Sequence, residues 1–187
     1  SAKYEVKKDL WKAPADSLND VSLEIYHHKG HEYNLDRMME GMKKSLDYNT
    51  KNFSPYQFRQ LRIMEFPAYA SFAQSFANTI PFSEAIGFVH KITEEDVDLP
   101  FYVTAHEVAH QWWGHQVTEA GVKGNAMLSE ALAQYTALMV MKQNYPEEQI
   151  SRYLKYELNS YLLGRTFERK KEMPIEFVEG QAYIHYK

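Results

Sequence analysis

"TAHEVAHQWW", residues 104–113, carries two histidines four positions apart with a glutamate directly after the first. An α-helix advances about 100° and roughly 1.5 Å per residue, so His106 and His110 share one face about one turn apart. Both imidazoles then reach a single ion. Glu107, one step round the helix, hangs beside that ion, where a general base belongs. A zinc hydrolase usually holds its ion by three protein ligands and leaves a fourth position for water. The third ligand must come from elsewhere in the chain.

Composition limits where to look. The 187 residues suit one domain, with 44% hydrophobic and 25% charged residues, as in an ordinary soluble globular chain. There is no cysteine, so any metal must be held by nitrogen and oxygen donors. The formal charge is −4, and the longest basic run is Arg169-Lys170-Lys171, read as a solvated helix end. Nucleic acid is therefore not expected as a partner, since phosphate binding needs clustered cations. No run approaches the roughly 18 apolar residues of a membrane span. The chain starts with Ser-Ala and is read as a piece of a longer protein.

Periodicity divides the chain in two. "VSLEIYHH", residues 21–28, alternates as a strand does, and "QLRIMEFP", residues 60–67, reads as a second strand ended by Pro67. Between them Leu35, Met38, Met39, Met42 and Leu46 recur at helical spacing, and the methionines are read as core. "IPFSEAIGFVHKI", residues 80–92, reads as a short strand or edge segment around Gly87. From residue 100 the pattern turns helical over 101–113, 127–145 and 147–163, with Pro146 separating the last two and Gly164 closing the third. The expected architecture is α+β: an α/β lobe over residues 1–99 and a helical lobe over 100–187, with a cleft between them.

The helix over 127–145 opens "AMLSEALAQY", and its Glu130 lies twenty positions beyond His110. "TEAGVKGN", residues 118–125, supplies a glycine-broken turn that carries this helix back across the first. Glu130 is thus the favoured third ligand. Glu119 and His115 compete, the first close after Gly114 and the second on another face. Trp112 and Trp113 are read as core residues securing the histidine helix.

At these residues the chain resembles the gluzincin aminopeptidases of the aminopeptidase N and leukotriene hydrolase type. "HEVAHQWWG" is similar to that family's HExxHxWxG, and "LSEALAQY" resembles its LNEGFAxY. The resemblance runs from about residue 59 to the end and implies a thermolysin-like catalytic domain, with one Zn2+ on His106, His110 and Glu130. The interval Gln111 to Ser129 is one residue longer than the family's, and the extra residue is expected in the loop. Ser129 replaces the usual Asn. "PFSEAIGF", residues 81–88, resembles a degraded GAMEN segment, which would make Glu84 the carboxylate that grips a substrate's free amine. Glu65 in "IMEFP" is the second candidate for that role. Tyr186 in the closing "HYK" resembles the family's catalytic tyrosine, a donor to the developing oxyanion, with Tyr183 as its rival.

The resemblance therefore implies a zinc aminopeptidase acting on peptides with a free N-terminus. A zinc-activated water attacks the first peptide bond, and Glu107 takes and returns its proton. Two alternatives stand beside it: an endopeptidase or epoxide hydrolase on the same site, and a non-catalytic binding domain of a membrane assembly. Some relatives with "HEVAHQWWGHQV" are fused to transporter-like segments, so the full-length protein is expected to be membrane-associated although this piece carries no span.

Overall fold

The computed structural model describes residues 3–14, 19–167 and 171–178. Its sheet has the order β1 (Glu5–Trp11), β2 (Val21–His27), β3 (Gln60–Phe66), β4 (Thr79–Ser83). β1 runs antiparallel to β2, whereas β2, β3 and β4 are mutually parallel. Parallel neighbours need a crossover, and α1 (Leu35–Asn52) provides it between β2 and β3. The strand pattern read over residues 21–28 and 60–67 and the helix starting after Asn34 stand as expected. Leu35, Met38, Met39, Met42 and Leu46 are all buried.

β1 gave no such signal. Its side chains are exposed along most of its length, with only Trp11 buried, so selection for a buried face left no alternation to read. The region around Gly87 also differs from a strand: β4 ends at Ser83, and Glu84–Gly87 forms a single helical turn, α2. The Ser83 hydroxyl caps this turn by accepting from the Ala85 N–H. Gly87 is there for space, because a Cβ would lie 2.7 Å from the Phe82 ring.

Two apolar clusters meet on one helix, α3 (Leu99–Ala109). In the first, Leu23, Ile25, Leu61, Ile63, Ile80 and Phe82 of the sheet pack with α1 and with Val108 and Trp112. In the second, Phe101, Tyr102 and Ala105 pack on Ala137, Val140 and Met141 of α4 (Leu132–Asn144) and on Ile150 and Tyr153 of α5 (Glu147–Phe167). A helix that is apolar nearly all round is a buried one. Each large side chain so enclosed contributes on the order of 1.5–3 kcal/mol, so the histidine helix is fixed from both sides. Pro146 separates α4 from α5 as expected. Gly164 does not end α5, which continues to Phe167, because the helix bonds carry through a glycine at a cost of only about 1 kcal/mol. Among the described residues no helix is long and apolar enough to cross a membrane.

Candidate metal centre

The histidine helix has a well-made start. The Asp98 carboxylate accepts from the Phe101 N–H at 3.0 Å, and Pro100 sits in the first turn, where its missing N–H costs nothing. The helix is shorter than the expected 101–113 and ends at Ala109. His110 is its cap residue yet keeps helical dihedrals, φ −61° and ψ −20°, so the i,i+4 pairing of the two imidazoles survives. Gly114, at φ +112°, takes the left-handed turn that lets its N–H reach the Val117 carbonyl at 2.9 Å.

The Nε2 atoms of His106 and His110 lie 3.1 Å apart. His110 Nδ1 faces the Trp113 carbonyl at 3.0 Å. A carbonyl can only accept, so Nδ1 carries a proton there and Nε2 is the atom turned toward His106 and Glu130. Glu130 arrives from the other side: its Oε2 is 3.4 Å from His106 Nε2 and 3.5 Å from His110 Nε2. One donor atom from each of the three lies within 4.8 Å of the others. Against the cost of burial, the two imidazoles hold the Glu130 carboxyl well below the usual carboxylate range.

Glu130 sits in a π-helical turn, Met127–Ala131, that leads into α4. A π turn holds more residues than an α turn. Glu119, the competing ligand, accepts instead from the Ser129 hydroxyl at 2.6 Å. His115 Nε2 faces the Ser75 carbonyl at 3.3 Å.

These groups line a cleft of about 440 Å³ with Ala73, Gln74, Ser75, Trp113, Gly114 and Glu107. Burial pushes the Glu107 carboxyl up, the two imidazoles and the Ser75 amide pull it down, and Glu130 adds to the rise; the net direction is upward. One wall of the cleft was not anticipated. Residues 72–76 run antiparallel beside β4, with Gln74 N–H on the Pro81 carbonyl and Phe76 N–H on the Thr79 carbonyl. Asn78 turns the chain in the left-handed region, φ 55°. The fully buried Gln111 ties this turn to the histidine helix: it accepts from the Asn78 N–H at 2.9 Å and donates to Ser75 Oγ and the Phe76 carbonyl at 2.6 and 2.8 Å. Its signal was a lone polar side chain directly after the motif. Trp112 is buried, as expected, whereas Trp113 is half-buried and faces the cleft while its Nε1–H reaches Thr136 Oγ1 at 3.0 Å.

Glu84 is not among the residues lining the cleft. It begins α2 directly after β4, where its carboxylate accepts from the Ala68 N–H and lies 3.9 Å from His31 Nδ1. Glu65 stands in that same group. Tyr186 and Tyr183 lie outside the described residues.

Two nitrogen donors and one carboxylate, converging without a lysine or arginine among them, fit a divalent ion of the zinc type. The two Nε2 atoms and the Glu130 oxygen face one another closely enough for one cation to sit among them. Comparison with known proteins agrees with the motif, because residues 37–180 match the peptidase family M1 domain. The chain belongs to peptidase family M1. Two curated relatives of this M1 chain are a probable aminopeptidase 1 of Sulfurisphaera tokodaii, 30% identical over 64% of the chain, and human endoplasmic reticulum aminopeptidase 2, 27% identical over 89%. The chain spans only 15% and 18% of their lengths. Among solved structures, an M1 zinc metallopeptidase of Deinococcus radiodurans superposes with a TM-score of 0.64 at 16% identity, covering 98% of this chain and 38% of that one. Legionella pneumophila aminopeptidase A gives 0.61 at 19% identity over 75% of this chain and 16% of its own. At such identities the likeness establishes the α+β fold of the M1 chain.

Proposed function

We propose that the full-length protein is a zinc-dependent aminopeptidase, with His106, His110 and Glu130 as the metal ligands and Glu107 as the general base. The observation that carries this reading is a buried carboxylate, Glu107, with no role as ligand, standing beside three converged donors at an open cleft. A purely structural site has no use for such a base. The aminopeptidase relatives support the choice of reaction class.

A bound Zn2+ would supply Lewis acidity and lower the pKa of a water toward about 7. Glu107 accepts the proton of the attacking water as the new C–O bond forms. It then delivers that proton to the leaving nitrogen as the C–N bond breaks, so the base ends as it began. Raising its carboxyl by burial suits both halves of that task. Tyr186 is retained as the proposed donor to the developing oxyanion.

Restriction to the first residue of a peptide needs an anion for the free α-ammonium. Glu84 does not line the cleft, and among the described lining residues Glu119 is the carboxylate left once ligand and base are assigned. We assign the amine anchor to it. The test is product analysis: full-length protein is incubated with one peptide bearing a free N-terminus and with its N-acetylated twin. Release of single N-terminal residues from the first only is expected. Internal cleavage, or equal turnover of both, contradicts the reading.

A further inference from the structure

Because β2, β3 and β4 are parallel, their carboxyl ends share one rim of the sheet. Four chemically capable side chains gather at that rim, one beyond β2, one in the loop after it, one near the end of β3 and one directly after β4. They are His28, His31, Glu65 and Glu84, and one ligand atom from each lies within 4.8 Å of the others. His28 Nδ1 is 3.3 Å from Glu65 Oε1, His31 Nδ1 is in short contact with that same oxygen, and Glu84 Oε2 stands 3.9 Å from His31 Nδ1. The cluster shares no residue with the His106 centre or with the lining of its cleft.

The carboxylates are held as ligands usually are. In each, one oxygen is tied to a backbone amide: His28 N–H donates to Glu65 Oε2 at 2.5 Å, and Ala68 N–H to Glu84 Oε1 at 2.9 Å. The other oxygen of each is left facing the imidazoles. Such anchoring fixes a ligand's orientation before an ion arrives. Tyr4 backs the group, with its ring 5.0 Å from that of His28 and its hydroxyl donating to the Glu65 carbonyl at 2.8 Å. The Glu65 side chain is wholly enclosed, while His28, His31 and Glu84 keep 30%, 27% and 23% exposure, so the group is open to solvent on one side.

A fully buried carboxylate with a second one close by calls for compensating positive charge, and the side chains paired with Glu65 and Glu84 in the cluster are the two imidazoles. We propose that His28, His31, Glu65 and Glu84 form a second metal site, a structural zinc site that clamps the ends of three parallel strands and the N-terminal segment around Tyr4. Four protein donors would fill the four positions that zinc takes in structural sites and leave none for water, unlike a catalytic zinc. Glu84 thereby serves as a ligand and not as a substrate anchor. The proposal does not depend on the aminopeptidase reading.

The experiment counts ions. Full-length protein and its Glu130→Gln variant are stripped with a chelator, equilibrated with Zn2+, separated from free ion and assayed for zinc per chain. Two equivalents are expected in the parent and one in Glu130→Gln. That remaining equivalent should vanish when His31→Ala is added, and zinc at a hundredfold excess over its dissociation constant should raise the thermal midpoint of Glu130→Gln. His31 is partly exposed, and circular dichroism checks that its removal leaves the fold. One equivalent in the parent and none in Glu130→Gln would overturn the proposal without recourse to any cluster variant. So would an equivalent in Glu130→Gln that His31→Ala leaves in place. A failure of hydrolysis alone would count against the function and leave this stoichiometry untouched.

Discussion

The His106–His110–Glu130 centre takes two of its three donors from one helix, while the His28–His31–Glu65–Glu84 cluster assembles its four from the ends of three strands. The two groups hold similar atoms and differ in what surrounds them. At the first, Glu107 stands buried beside the donors with no ligand role, and the cleft lies open above it. At the second, each carboxylate has one oxygen engaged by a backbone amide and the other turned to the imidazoles. Donor type alone therefore does not make a hydrolytic site. On the proposed reading, the unassigned base at an open cleft does.

The largest test of this contrast is Glu107→Gln. Hydrolysis of an aminoacyl amide should fall by about 10²–10⁴-fold, with zinc content unchanged. Parental turnover would erase the distinction between the two centres. Next comes Gln111→Ala, which strands the Asn78 N–H and the Phe76 carbonyl where the cleft wall meets the histidine helix. A loss of about 1–3 kcal/mol in a urea titration is expected, together with lower activity, since the wall carries the Ser75 amide that faces Glu107. Stability as in the parent would show that the wall does not depend on Gln111. Glu119→Gln should raise KM for free-amine substrates about tenfold, a difference of ~1.4 kcal/mol, and leave kcat near parental. An unchanged KM would remove Glu119 from substrate binding. Smallest is Tyr4→Phe at the other cluster, which deletes the hydroxyl bond to the Glu65 carbonyl but keeps the ring against His28. We expect about 0.5–1.5 kcal/mol of destabilisation without change in hydrolysis. An effect on hydrolysis would mean that the two groups are coupled.

The contrast also explains what could be read from the chain. His106, Glu107 and His110 were legible because helical spacing fixes which residues share a face. Glu130 was reachable because two helices and a glycine-rich turn leave few ways to return. The cluster at the strand ends was invisible, since Glu65 and Glu84 meet His28 and His31 only once strand order and direction are known. β1 escaped notice because an exposed edge strand carries no alternation. The cleft wall at residues 72–76 escaped because its pairing with β4 rests on backbone bonds, which no side chain announces. Glu84 was placed by motif likeness on a stretch expected to be strand. The chain instead turns into α2 there, and the Glu84 carboxylate bonds the Ala68 N–H and faces His31 rather than lining the cleft.

The central claim is that three donors and one unliganded base act as a unit. Its most direct test follows hydrolysis of an aminoacyl amide while Zn2+ is returned to chelator-stripped full-length protein, beside Glu130→Gln treated identically. The account predicts that activity is lost on stripping, returns with zinc in the parent, and does not return in the variant at the same zinc concentration. Undiminished hydrolysis by stripped protein, or equal recovery in Glu130→Gln, would contradict it.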